Sequence, residues 1–401
     1  MKEHYDVVIV GGAVIGSAVA YYLAANPDFD GSILVVERDP SYAQASTSLS
    51  ASGIRVQYSN PINVKVSQYG LEVIRNFAEI MQVGDDRPDL NFHSGGYLYL
   101  AGTAEQAQVL RECHEVQRAC GADVVLWEKD ELAAAFPHLR VEDIQLASYG
   151  LSGEGWFNNT GIMAGFRKKA RALGAEIVTD EVVAIARDGA KVTGVTLKSG
   201  AVIGVGTVVN ASGPRAALTA RMAGLDIPVE PRKRTLFVFD CADSPEGSAV
   251  VNDGRLPLMI DPTGVWCRPE GKYFLAGGVP EEDPAVDWDD FEPRYAEFEE
   301  QIWPALAERS PQFEAIKVIN QWAGHYAYNT LDHNMVVGRH PEVENFIFAN
   351  GFSGHGLQQG PATGRAVSEL IAYGEYRSLD FAEVGYERVI EGRPFLEKAI
   401  I

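Results

Sequence analysis

The chain has 401 residues, with 55 Asp and Glu against 34 Lys and Arg, a net charge of −21. At ~150 residues per domain this predicts two or three domains, or two interleaved ones, and the 46% apolar and 22% charged content is that of a globular protein. So acidic a surface repels phosphate backbones and anionic lipid, which excludes nucleic acid and membrane as main partners but not a small anion in a locally basic pocket. The four cysteines, Cys113, Cys120, Cys241 and Cys267, form no CxxC pair, so neither a zinc ribbon nor a redox dithiol is expected, and no metal site. Cys113 and Cys120 are expected as buried thiols on one helix face, in a reducing compartment. No apolar run reaches ~18 residues, and a strand begins within about six residues of Met1, so the expectation is a cytoplasmic protein with no membrane span. Forty glycines exceed the ~7% average and point to tight turns or close backbone–ligand contact.

Asp6-Val7-Val8-Ile9-Val10 is a β-branched run, the pattern of a strand buried on both faces. Gly11-Gly12-Ala13-Val14-Ile15-Gly16 follows at once, and Ile15, Ala18, Val19, Tyr22 and Leu23 then recur at helical spacing up to Pro27. Gly31 to Glu37 reads as a second strand ending in an acid. This is the fingerprint of a dinucleotide site in its required order. Gly11 allows the tight turn, Gly16 lets the helix pack on the strand, and the helix N-terminus offers N–H groups and a positive dipole end to a pyrophosphate. Glu37 is placed to accept from a ribose diol, which suits FAD or NAD over NADP. One position departs from the pattern: the second glycine is Ala13, whose methyl group narrows the approach to the pyrophosphate.

A hydroxyl-rich stretch follows, Ala45 to Arg55, whose bland alternative is a solvated linker. It ends in Ile54-Arg55-Val56-Gln57-Tyr58, which is not linker-like. Asn60-Pro61 supplies an N-cap and an N1 proline to a long helix carrying Val66, Tyr69, Val73, Ile74, Phe77 and Ile80. A strand over Gly95–Leu100, a helix from Thr103 to about Cys120 and a short helix over Glu131–Phe136 come next. A turn at Gly153–Phe157 leads into a helix near Thr160 that Gly174 ends. Val182–Ala186, Val192–Leu197 and Ala201–Asn210 form a meander returning to a central strand. Its end, Asn210-Ala211-Ser212-Gly213-Pro214, is a glycine turn at a strand C-terminus, where ligands of open α/β sheets sit. Pro231 to Gly278 is strand-rich, with Arg232, Lys233 and Arg234 expected to be solvated and a hairpin turning at Pro269–Lys272. A helix over about Phe291–Leu306 follows. The strand Phe346–Ala349 then leads into Gly351-Phe352-Ser353-Gly354-His355-Gly356 and a helix to about Tyr373.

With these motifs the chain resembles, over essentially its whole length, the D-amino acid oxidase superfamily of FAD enzymes, in the branch of sarcosine oxidase, glycine oxidase and dimethylglycine dehydrogenase. The most specific mark is Gly351–Gly356, where a glycine-rich helix N-terminus can bring N–H groups against the flavin edge that gathers charge on reduction. The resemblance implies an α/β fold, a Rossmann-like FAD-binding domain (1–90, 150–228 and 332–401) interleaved with a mixed-sheet α+β substrate domain (91–149 and 229–331). It implies non-covalent FAD held by Gly11, Ala13, Val14, Ile15, Gly16, Glu37, Arg38, Ser46, Thr47, Ser50, Ser52, Gly53, Ile54, Val183 (through its backbone), Ala211, Gly213, Gly351, Ser353, Gly354, His355, Gly356, Leu357 and Gln358.

The resemblance further implies oxidation of an amine by hydride transfer to flavin N5, the imine then being hydrolysed. A carboxylate substrate needs a cation, and Arg55 is the first choice, with Arg268 second; His93 and Tyr97 can also reach the pocket. His325, His355 and Gln358 complete the catalytic candidates. Gln358 stands where sarcosine oxidase has a substrate-holding lysine, and the covalently attaching cysteine of that enzyme falls near His325. Its oxygen-activating lysine has no counterpart in Phe274–Gly278, so the acceptor is either dioxygen or an electron carrier. The expected substrate is a secondary or N-substituted amino acid (sarcosine-, iminodiacetate- or opine-like). The competing readings are primary-amine oxidation of the D-amino acid or glycine oxidase type, and a flavoprotein with an assembly or scaffolding role.

Overall fold

The computed structural model describes residues 1–248 and 251–398. Strand β1 (His4–Val10) pairs in parallel with β2 (Ile33–Glu37) on one side and with Val202–Asn210 on the other, in register Val8↔Leu34 and Val8↔Val208. Glu176–Thr179 continues the sheet beyond β2, and Phe346–Asn350 continues it beyond Val202–Asn210, both in parallel. Such strands are buried on both faces, which is why β1 and β2 read as unbroken β-branched runs. The hairpin Val182–Asp188/Lys191–Leu197 attaches to Val202–Asn210 as the expected antiparallel meander.

Helix α1 (Val14–Ala24) lies between this sheet and the Gly356–Tyr373 helix. The two helices approach closely because Gly364 has no side chain: a Cβ there would sit 2.8 Å from that of Ala18. Val7, Ile9, Val19, Leu23, Val209, Ile347 and Val367 fill the resulting core.

A second eight-stranded sheet is mixed, its strands drawn from residues 97–150 and 229–329. Ile316–Asn329 and Val229–Cys241 form its longest antiparallel pair, and β4 (Tyr97–Ala101) joins Leu258–Ile260 in parallel. Its outer face is sealed by Phe237, Phe239, Phe274, Phe298 and Phe313, whose ring centroids lie 5.2–6.2 Å apart. The short strand β3 (Gly53–Ile54) pairs with Gly155–Trp156 and sits between the two sheets.

Several local expectations need correction. The long helix after Asn60 breaks: α2 (Pro61–Arg75) stops at Asn76, whose side chain donates to the Glu72 carbonyl at 2.8 Å, and a separate turn covers Phe77–Ile80. Asn60 does not cap α2 with its side chain, which donates instead to Leu396 O and Glu397. Residues 291–295 are not helical. A π-helical turn over Phe298–Ile302 leads into Trp303–Arg309, because His325 Nε2 and the Arg294 N–H tie the preceding segment to the second sheet, the latter through Thr235 Oγ1. Cys120 lies one residue beyond the Ala104–Ala119 helix, so only Cys113 is a buried thiol within it. Lys233 and Arg234 are not solvated: both are buried and ion-paired, to Asp290 and Asp283. Among the described residues, no helix is long and apolar enough to cross a membrane.

Candidate active site

A cleft of about 330 Å³ runs from the C-terminal end of the parallel sheet to the concave side of the second sheet. Two helix N-termini open onto it. At α1, Gly11 takes φ +97°, and a Cβ there would lie 2.5 Å from the Ala211 carbonyl oxygen, so only glycine closes this turn. Ser17 N–H is the first to close on a backbone carbonyl, that of Ala13. Ahead of it Val14 N–H makes a 3.3 Å bond to Thr47 Oγ1, while those of Ala13 and Ile15 have no acceptor among the described residues. At the second helix the chain turns through Gly351 (φ +70°), Ser353 (φ +47°) and Gly354 (φ +97°), and Gln359 N–H is the first to close, on His355 O. The preceding residues Gly356, Leu357 and Gln358 line the cleft. Each end therefore presents unpaired N–H groups and the positive end of a dipole to the same space.

Glu37, at the end of β2, accepts from Gly12 N–H at 2.7 Å and from Asp39 N–H at 2.9 Å. Burial raises its pKa above the ordinary carboxylate value, with these two bonds opposing. A cradle that a Cβ would fill at Gly11, unpaired amides at two helix ends and a carboxylate near the first of them fit the pyrophosphate, ribose and flavin edge of FAD.

Above the second helix end lies a buried cation. Arg55 is 2% exposed, yet it lines the cleft. Its Nε donates to Tyr99 Oη at 2.5 Å, Nη1 donates to Tyr58 Oη at 3.0 Å, and Nη2 lies 3.2 Å from His355 Nε2. The guanidinium also stacks 4.3 Å from the Tyr58 ring centroid. Burial and the charge of Arg55 hold the His355 imidazole well below its usual pKa. His355 is thus neutral, with Nε2 as the acceptor and the proton on Nδ1. Gln358 is drawn into the same network: its Oε1 accepts from Arg55 N–H at 2.8 Å, and its Nε2 donates to Tyr58 Oη at 2.6 Å.

Most of the residues expected around the cofactor line this one cleft, among them Ala13, Val14, Arg38, Ser46, Thr47, Ser50, Gly53, Ala211 and Gly213. Gly16, Ser52, Ile54 and Gly351 stand behind the lining, in backbone positions that shape it. Val182 lines the cleft, whereas the side chain of Val183 is 46% exposed. Arg268 is buried outside the lining. Its guanidinium donates to Ala51 O, Pro269 O and Glu270 and lies over Trp156 at 5.1 Å, while burial lowers its pKa. His93 stacks on Trp156, also outside. His325 does line the cleft, with Nε2 2.7 Å from Asp290 O and its ring stacked on Phe291 at 4.2 Å.

The structure adds the lining residues Leu258, Trp266, Trp288 and Tyr326, and brings in Arg234, which was expected to be solvated. Arg234 packs 4.9 Å from the Tyr326 ring centroid while Asp283 holds its guanidinium bidentately. Its register opposite Gly324 in the second sheet is what brings it inward, and no local pattern encodes that pairing. Glu154 was also unforeseen. It is fully buried and accepts from Val56 N–H, Gln57 Nε2 and Tyr97 N–H at 2.8, 2.8 and 3.2 Å, and burial pushes its pKa up to about 7.

A parallel sheet with two amide-lined helix ends, meeting a second sheet over a cleft that holds a buried cation, is the construction of a flavin-dependent oxidoreductase. The family profile described as DAO, FAD dependent oxidoreductase, matches residues 6–370. The chain belongs to this family, and it is an FAD-dependent oxidoreductase of the amine and amino-acid oxidising kind. It is 40% identical to the FAD-dependent oxidoreductase domain-containing protein 1 of Xenopus laevis, across 100% of this chain and 85% of that one. Glycine oxidase of Bacillus licheniformis is 26% identical, across 92% and 94% of the two chains. Among solved structures, L-proline dehydrogenase from P. horikoshii superposes with a TM-score of 0.84 at 26% identity, covering 98% of this chain and 100% of that one.

Proposed function

We propose that this protein oxidises the C–N bond of a small secondary or N-substituted amino acid, with Arg55 holding its carboxylate. FAD, when bound, accepts the hydride. The chain's own residues orient the substrate, keep the site dry and supply the amides of the Gly356 helix end to the flavin edge. The observation that carries this reading is the buried Arg55 guanidinium in the same cleft as the flavin-cradling amides, beside a histidine that burial keeps neutral. Similarity to a glycine oxidase and an L-proline dehydrogenase supports a compact amino-acid substrate. The cleft divides the molecule along the two sheets, which supports an FAD domain of 1–90, 150–228 and 332–401 and a substrate domain of 91–149 and 229–331. Non-covalent FAD is supported by His325, whose Nε2 is engaged by Asp290 O, and by the absence of cysteine from the described lining residues. Anaerobic mixing of the FAD-loaded protein with N-alkyl glycines, proline and iminodiacids tests the reading. Bleaching of the flavin band by at least one of them is expected, and no bleaching across the panel refutes it.

A further inference from the structure

One buried carboxylate far along the chain has no part in the roles above. Glu397 lies in a stretch without helix or strand after the Glu387–Ile390 turn. It is 2% exposed, whereas Leu396 before it is 52% exposed, so the chain turns its acid inward and its leucine out. Such a stretch is poorly ordered unless it is tied down, and a buried charge is costly unless donors meet it. Here it is tied. Phe395 N–H donates to Asp332 Oδ2 at 2.9 Å, Asn334 Nδ2 to Phe395 O at 3.2 Å, and Asn60 Nδ2 to Leu396 O at 2.9 Å. The Glu397 carboxylate then accepts from Ser59 N–H at 2.7 Å, Ser59 Oγ at 2.6 Å, Asn63 Nδ2 at 2.8 Å and Asn60 Nδ2 at 3.3 Å.

These bonds do not cap α2. The helix starts at Pro61, and the backbone N–H among these donors belongs to Ser59, in the short linker from β3 to α2. That linker carries the groups that matter in the cleft. Arg55 follows β3 directly, and the Tyr58 phenol accepts from Arg55 Nη1 and from Gln358 Nε2. Tyr58 O accepts from Gln117 Nε2 at 3.3 Å, and Glu397 grips the next residue, Ser59. Glu397 itself does not line the cleft, so it fixes this linker from outside. Its charge also reaches the guanidinium: burial works against the charge on Arg55, while the phenols of Tyr58, Tyr99 and Tyr97, and then Glu397, favour it.

We propose that Glu397 is a positioning residue for Arg55, holding Ser59 so that Arg55 and Tyr58 stay aimed into the cleft. This rests on the amine-oxidation reading, in which Arg55 is the carboxylate clamp. The test compares variants of the full-length, FAD-loaded protein. Glu397→Ala should raise KM for an amine that bleaches the wild-type flavin at least about 5-fold, with kcat changed less than about twofold and FAD content unchanged. Kd for cyclopentanecarboxylate, a carboxylate that cannot be oxidised as an amine, should rise in parallel when flavin absorbance is followed. In an Arg55→Ala background the same substitution should add less than about twofold, because its effect passes through the arginine. Lys398→Ala removes only an exposed pair with Glu112 and should leave both constants unchanged. Glu397→Asp keeps the charge but falls one methylene short of Ser59. It should follow Glu397→Ala, and it replaces that variant in every comparison if the alanine protein does not fold.

Unchanged KM and Kd in Glu397→Ala, with amines still bleaching the flavin, overturn the positioning role and leave amine oxidation standing. An equal loss in the Arg55→Ala background, or in Lys398→Ala, overturns it as well, since the effect would then bypass Arg55 or belong to the whole stretch. Loss of FAD or of folding in both Glu397 variants does the same, the acid then serving cofactor or fold alone. A Kd that depends on Glu397, in a protein that no amine bleaches, supports the positioning role and sinks the oxidation reading instead. A wild type that the carboxylate does not perturb refutes the role, there being no carboxylate hold to aim.

Discussion

Replacing Gly16 with alanine puts the phosphate-binding turn to a direct test. A Cβ at Gly16 would stand 1.8 Å from the Gly11 carbonyl oxygen and 3.2 Å from Ile9 Cγ2. An ordinary carbon–oxygen contact is about 3.3 Å, so the start of α1 must move by roughly 1.5 Å, about the rise of one helical residue. The helix cannot yield sideways, because Ala18 is already in contact with the Gly364 backbone of the neighbouring helix. Gly11 cannot yield either, since its own turn closes against Ala211. Overpacking of this kind costs about 1–3 kcal/mol in stability. A 1.5 Å displacement, estimated as above, also takes the α1 amides out of hydrogen-bond range of a pyrophosphate; losing one such charge-assisted bond is worth about 1.5–3 kcal/mol, or 10-fold and more in Kd. The assay is equilibrium titration of apoprotein with FAD, read by quenching of flavin fluorescence. A Gly16→Ala protein that binds FAD within about twofold of wild type would refute the geometry of the turn.

Arg55→Ala should raise KM for carboxylate amines at least about 10-fold while FAD stays bound, and unchanged kinetics would remove Arg55 from the clamp. Glu37→Ala should weaken FAD binding about 10-fold without changing KM in the FAD-saturated enzyme; full retention in a fluorescence titration would contradict the ribose assignment. Glu154 makes a pH prediction. Burial raises this acid from 4.5 to about 7, so the native state keeps a proton that the unfolded chain releases, and stability must fall as pH climbs between those two values and stay level above. The fall is about 3 kcal/mol at 1.36 kcal/mol per unit, and Glu154→Gln should lack it; equal pH dependence of the two urea midpoints would refute the assignment. Arg388, 1% exposed, donates to Asp332, 0% exposed, and to the carbonyls of Gly385, Asn334 and Met335. Arg388→Met strands that buried carboxylate and should cost about 3–5 kcal/mol in a urea melt, a loss under ~1 kcal/mol being the contrary result.

What was legible in the sequence is what short-range stereochemistry controls. The turn at Gly11, the glycine-rich stretch at 351–356, the acid ending β2 and the parallel strands were all readable. Each depends on residues a few positions apart: a φ that only glycine adopts, a β-branched run buried on both faces, a helix that must start where amides are needed. Arg55 was legible through the family resemblance, as the first choice for a carboxylate-holding cation, although its neighbours were not.

The tertiary structure alone decided which groups meet. Arg55 is caged by Tyr99 and His355, 44 and 300 positions away, and burial there, helped by the Arg55 charge, keeps His355 neutral. Arg268 looked like a second cation for the cleft, but it is buried behind the lining, where Ala51 O, Pro269 O and Glu270 take its donors. Arg234 looked like solvated surface and is buried at the cleft, because the long pairing of Val229–Cys241 with Ile316–Asn329 sets its register against Gly324. The helix expected from 291 starts only at 296, because side-chain and backbone contacts with the second sheet hold the preceding segment. Glu154 carries no local signal at all; its role arises from three donors converging on one buried carboxylate from different elements. Glycine positions are dictated by the chain's own backbone, and so survive in the sequence. Burial and pairing of charged side chains depend on what long-range register places opposite them, and that becomes defined only when the two sheets close over the cleft.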